Sequence, residues 1–243
     1  MDVNVGGTTS VLESCRRANV RRVVFASTSA IYENNTDFPS KETDEVHPTL
    51  IYPVSKLCAE EICKSYIANY DMDIVMTRYN NVYGGNQNFS RISPPLTIYI
   101  IKKLLDGESP ILHSDGNQRR DYVYIDDVNK LNHICMRSKN APGQIFNVAS
   151  GMTVSVNYIF STIAKALNSN IRPIFHTSSK YWNDYPILFE GRPLQNKVLE
   201  SEVNKFTLGS INKALYELKW RAETSFEDGI KETIKNFKER HYD

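Results

Sequence analysis

Within roughly its first eighty residues the chain runs helix, strand, helix, strand, an order that leaves few folds open to it. Thr8 to Ala18 places Val11, Leu12, Cys15 and Ala18 at helical spacing. After the basic turn Asn19 to Arg22, Val23-Val24-Phe25-Ala26 reads as a strand buried on both faces, as in a parallel sheet. A second helix spans Tyr52 to about Tyr70, with Val54, Leu57, Cys58, Ala59, Ile62 and Cys63 on a broad apolar face, and a buried-type strand, Asp73 to Tyr79, follows it. Such alternation predicts α/β architecture around a doubly wound parallel sheet.

Further on, helices are expected over Leu96 to Leu105, from near Asp126, over Val156 to Leu167 and over Phe226 to Phe237, with short strands at Tyr122 to Ile125 and Gln144 to Val148. Thr177 to Asn204 reads as polar, aromatic and irregular. With 243 residues and 41% hydrophobic content the chain can bury one core with an appended lobe. Its 29 basic against 28 acidic residues create no global field for nucleic acid or an anionic membrane. No run approaches the roughly 20 apolar residues of a membrane span, and Met1-Asp2-Val3-Asn4 lacks the regions of a signal peptide. Cys15, Cys58, Cys63 and Cys135 have no metal-type spacing and suit reduced thiols in a cytoplasmic protein. The five histidines are scattered without ligand spacing, so no metal site is expected.

The chemistry concentrates at Tyr52-Pro53-Val54-Ser55-Lys56, where a phenol and an ammonium lie four residues apart on one helical face. A cation there stabilises the phenolate and makes the phenol a usable acid and base near neutral pH. Spacing alone is not specific, because Tyr99 and Lys103 share it. What distinguishes Tyr52 is its position at a helix start downstream of Ser27-Thr28-Ser29-Ala30-Ile31-Tyr32, a hydroxyl-rich turn at a strand's C-terminal end, where open α/β sheets place ligands.

That turn, Tyr-Pro-Val-Ser-Lys, and then Arg78-Tyr79-Asn80-Asn81-Val82-Tyr83-Gly84, resemble the extended short-chain dehydrogenases that act on nucleotide sugars. Asp115-Gly116-Asn117-Gln118-Arg119-Arg120-Asp121-Tyr122 is similar to the same family's long signature between its two lobes. The resemblance runs from Asn4 to the C-terminus. It implies Tyr52, Lys56 and Thr28 as catalytic residues, and Tyr52, Lys56, Asn4, Ser27 and Tyr79 as the surroundings of NAD. It also implies Thr28, Asn81, Arg120 and Arg192 around a nucleotide-diphosphate sugar, although Leu194-Gln195 departs from the pattern expected after Arg192-Pro193. Two bland readings stand beside these: Thr28 as a strand-end hydroxyl bonding local backbone, and Arg120 as a surface arginine paired with Asp121 or Asp115, worth under about 1 kcal/mol.

Family members open with a strand, a glycine-rich turn and a helix that hold the cofactor's pyrophosphate; the eleven glycines here make no such arrangement. The expected fold is therefore an incomplete doubly wound sheet, residues 1–88, with the catalytic residues, and a smaller α/β substrate-binding lobe, residues 89–243, part of 108–150 returning to the sheet. The Val23 to Ala26 strand would then present a hydrophobic edge, to be covered in a homodimer or by a partner chain; the resemblance implies a dimer through the helices at Thr8 and Tyr52. Dehydrating relatives carry Asp-Glu after the catalytic threonine and decarboxylating ones usually keep the glutamate, whereas this chain has Ser29-Ala30. NAD-dependent 4-epimerisation by transient oxidation of the sugar ring is the expected reaction, with dehydration or decarboxylation behind it. The alternative from another class is a non-catalytic remnant or subunit that binds a sugar nucleotide but cannot hold NAD by itself.

Overall fold

The computed structural model describes residues 1–185 and 194–242. In chain order its elements are α1 (Gly7–Arg17), β1 (Val23–Thr28), a 3₁₀ turn at Ser29–Tyr32, α2 (Ile51–Tyr70), β2 (Ile74–Tyr79), β3 (Asn81–Tyr83), α3 (Leu96–Leu105), β4 (Ile111–His113) and β5 (Arg119–Tyr124). There follow α4 (Ile125–Arg137), β6 (Ile145–Val148), β7 (Thr153–Ser155), α5 (Val156–Ala166), β8 (Ile174–His176), α6 (Tyr181–Asp184), α7 (Asn196–Val203), α8 (Asn212–Leu218) and α9 (Phe226–His241). The fold is α/β, as the alternation predicts.

The chain forms two compact units. The first combines Met1–Val82, Ile125–Gly151 and Leu208–Glu223 around a parallel sheet of order β1-β2-β6. β1 runs in register from Val23↔Ile74 to Thr28↔Tyr79, and β2 pairs with β6 from Met76↔Ile145 to Tyr79↔Val148. Leu12 of α1, Cys63 of α2, and Ile74 and Met76 of β2 form a buried cluster on one face. The central strand β2 is buried almost throughout, as its run of apolar residues requires.

β1 differs from the expectation of a strand buried on both faces. Val23, Val24 and Phe25 are only partly buried and Ala26 is exposed, because among the described residues no strand pairs with its second edge. The hydrogen bonding shows which groups that edge presents. Val23 N donates to Asp73 O, so residues 23, 25 and 27 turn their backbone toward β2, and residues 24, 26 and 28 turn theirs away.

The second unit comprises the described parts of Tyr83–Tyr124, Met152–Thr207 and Thr224–Asp243. β5 pairs with β7 antiparallel, from Arg119↔Ser155 to Asp121↔Thr153, and β4 pairs with β8 parallel. Gly229 of α9 lies so close to Tyr83 that an added Cβ would stand 2.2 Å from the phenol oxygen, which is why a helix interior holds a glycine there. Among its described residues, the stretch read as irregular, Thr177 to Asn204, contains a 3₁₀ turn at Ser178–Lys180 and the helices α6 and α7; α7 buries Leu199 with Val198 and Val203 beside it, a helical apolar spacing that the surrounding polar residues obscure.

Candidate functional site

The residues expected to carry chemistry in the first unit are brought to the C-terminal end of β1 and the first turns of α2. Thr28 closes β1 and is the N-cap of the 3₁₀ turn, its Oγ1 accepting from Ala30 N at 3.1 Å. The local backbone role is therefore real. It uses one acceptor site and leaves the hydroxyl hydrogen available, with no recorded acceptor among the described residues.

Tyr52 is the second residue of α2 and is 54% exposed. Pro53 behind it is tolerated because the first helical turn needs no amide there. Lys56, one turn on, is half-buried. Its Nζ donates to Ala26 O at 2.5 Å and stands 4.6 Å from the centre of the Phe25 ring. Ala26 O is one of the backbone groups turned away from β2, so the lysine satisfies a carbonyl of the open edge. Burial lowers the ammonium's pKa below the usual lysine value, against the opposing fields of Cys63 and Glu60.

The other expected cofactor residues are tied within the protein. Asn4 Nδ2 donates to Ser55 Oγ at 2.9 Å, and Tyr79 OH donates to Asn132 Oδ1 at 3.0 Å. Ser27 is buried, and its hydroxyl donates to Glu60 Oε1. Asn81 opens β3. Arg120 sits on β5 in the second unit, where its Nη2 donates to Glu202 O at 2.5 Å; its recorded partner is thus a carbonyl, and Asp115 is engaged by Asn117. Arg192 lies outside the described residues.

Behind Thr28 lies a buried polar network that sequence reasoning missed. Glu60 follows Lys56 at the same four-residue spacing and is 0% exposed. It receives Arg78 Nη2 at 2.7 Å and Nε at 3.0 Å, a bidentate pair, besides the Ser27 hydroxyl. Arg78 Nη1 donates to Tyr32 OH at 2.8 Å, and Tyr32 OH donates in turn to Asn147 Oδ1 at 2.9 Å. Burial pushes the Tyr32 phenol up to about 12, against the pull of Arg78. Asn147 Nδ2 reaches Ser40 O and Ser210 O, and its backbone amide donates to Glu42 Oε1 at 2.8 Å. A charge near the end of a central strand, Arg78 after Ile74-Val75-Met76-Thr77, was the available signal, because a buried arginine needs a buried partner.

The Glu42 carboxyl is raised above its usual range by burial, with the Asn147 amide opposing. A raised carboxyl favours the folded state while protonated, a contribution present below the unfolded-chain value and lost as pH rises through the folded one. Glu42→Gln should remove that dependence, so its urea-unfolding free energy, relative to the unsubstituted chain, should rise from about pH 4 toward neutrality. A difference that stays flat with pH would contradict the assignment.

The NAD dependent epimerase/dehydratase family model matches residues 1–149. The chain belongs to that family. A Methanocaldococcus jannaschii protein provisionally named a UDP-glucose 4-epimerase is 33% identical over 234 residues, covering 96% of this chain and 68% of that protein. The Mus musculus dTDP-D-glucose 4,6-dehydratase is 28% identical over 240 residues, covering 97% of this chain and 62% of that one. Among solved structures of the family, the UDP-glucose 4-epimerase of Thermotoga maritima with UDP-glucose superposes with a TM-score of 0.84 at 26% identity, covering 98% of this chain and 70% of that chain. The UDP-N-acetylglucosamine 4-epimerase of Methanobrevibacter ruminantium, in complex with UDP-N-acetylmuramic acid, gives 0.83 at 27% over the same shares. The chain thus spans about two-thirds of the length of these epimerase/dehydratase relatives.

Proposed function

We propose that the chain carries the proton-transfer machinery of an NAD-dependent 4-epimerase acting on a nucleotide-diphosphate sugar. The observation that carries this reading is the exposed Tyr52 phenol with Lys56 one turn on, on a helix beside a strand that ends in Thr28 followed by Ser29-Ala30. A dehydratase would want a carboxylate directly after the threonine to remove a carbon-bound proton, and positions 29 and 30 hold a serine and an alanine. Epimerase relatives at comparable similarity support the choice.

Tyr52 passes a proton to and from a sugar hydroxyl, Lys56 stabilises the phenolate, and Thr28 donates its free hydroxyl hydrogen to the reacting oxygen. NAD, when bound, would take a hydride from the sugar ring and return it. Tyr52 and Lys56 fit the nicotinamide ribose, since the phenol is exposed and the hydrogen bond that the ammonium would exchange is to an edge carbonyl. Ser27, Asn4 and Tyr79 fit less well, their side chains being engaged by Glu60, Ser55 and Asn132. Asn81, Arg120 and Arg192 are assigned to the sugar diphosphate, for which a planar fork of donors is suited. The relatives named for UDP sugars favour a uridine nucleotide. A homodimer through α1 and α2 agrees with the exposed Val11 and Tyr70, a companion strand on β1 with its open edge, and a cytoplasmic setting with the free thiols.

The bond from Lys56 to Ala26 O favours a second reading, in which the chain binds a sugar nucleotide and does not turn it over. Isothermal titration separates the two. The epimerase should bind both UDP-glucose and NAD; heat from UDP-glucose with none from NAD at millimolar concentration would favour the remnant.

A further inference from the structure

We infer that Glu33 is a positioning residue that fixes Tyr52 relative to Thr28; the inference rests on the roles proposed above for those two side chains. Glu33 is the C-cap of the 3₁₀ turn whose N-cap is Thr28. Its Oε1 collects three donors from a segment sixteen residues further on: Thr49 N, Thr49 Oγ1 at 2.6 Å and Leu50 N at 3.0 Å. Leu50 is the N-cap of α2, and Tyr52 is two residues beyond it.

α2 needs this help because its own N-cap is a leucine and supplies no side-chain oxygen. The carboxylate sets the path of the two residues that lead into the helix and places a negative charge near the positive end of its dipole. Neighbouring links hold the same loop, with Asn34 Nδ2 on His47 O at 2.6 Å and Asn35 Nδ2 on Asp44 Oδ2 at 3.2 Å. These reach the loop before Thr49, so Glu33 alone among them grips the last residues ahead of α2. One end of its hydrogen bonding is rigidly joined to Thr28 and the other to Tyr52, and small displacements between such groups lower turnover more than binding.

Glu33→Ala and Glu33→Gln in the full chain test this, by hydrogen exchange of the α2 first-turn amides and by kinetics with UDP-glucose and NAD. Glu33→Ala should speed exchange at Val54, Ser55 and Lys56 about tenfold relative to amides of β2, and lower kcat about tenfold with KM unchanged. Glu33→Gln keeps an accepting oxygen and should restore most of both. First-turn exchange at the unsubstituted rate in Glu33→Ala, or a loss carried by KM, would overturn the inference. Absence of turnover in the unsubstituted chain would refute the epimerase reading, while the exchange rates would still decide what Glu33 holds.

Discussion

Tyr52→Phe should lower the turnover of a UDP-hexose by about 10²- to 10⁴-fold in any preparation where the unsubstituted chain is active, since the phenol is the proposed route for the proton. The substitution removes one oxygen from a side chain that is 54% exposed and has no recorded hydrogen bond among the described residues, so stability should stay within about 0.5 kcal/mol. Thermal unfolding run beside the assay separates lost chemistry from lost fold. Binding of UDP-glucose should persist, giving a fall in kcat with little change in KM. A Tyr52→Phe chain that epimerises within about threefold of the original would sink the assignment of the catalytic pair.

The second large effect concerns stability. Glu60 is fully buried and Arg78 is 3% exposed, and each is the other's charge partner. Replacing either one by alanine leaves an uncompensated buried charge, expected to cost about 3–5 kcal/mol by denaturant unfolding. The double replacement should cost less than the sum of the two, because the stranded charge disappears with its partner. Single variants within about 1 kcal/mol of the original would show that the pair contributes little. The Ser27 hydroxyl also rests on Glu60, so loss of the carboxylate should loosen the strand end that presents Thr28.

How much of this could be read from the sequence depends on where the signal resides. Periodicity was sufficient for α1, α2, β2, α3 and α5, whose apolar residues follow the spacing of their own element. It failed for β1, because Val23 to Ala26 has the composition of a central strand and nothing in those residues records how many neighbours pair with them. It failed for α7, where two or three apolar residues among charged ones are too few to stand out. The placement of Tyr52 and Lys56 one turn apart was legible because both lie on one helix. Glu33, Glu60 and Arg78 were not, since their partners are 16 to 46 residues distant in the chain and only the folded topology joins them. Ser27 illustrates the same limit: its family position suggests a cofactor contact, while its hydroxyl is turned to a carboxylate from the next helix.

The first unit is assembled from three separate stretches, and its last one brings Lys213 to Gln144 at 2.8 Å and the Trp220 indole to Asp127 O at 3.1 Å. During synthesis, then, these contacts form only once about residue 223 has left the ribosome, after two of the other unit's three stretches have been made. A nascent chain released before that point would bare β6 and α4, and would be a substrate for chaperones and proteases rather than a shorter working protein.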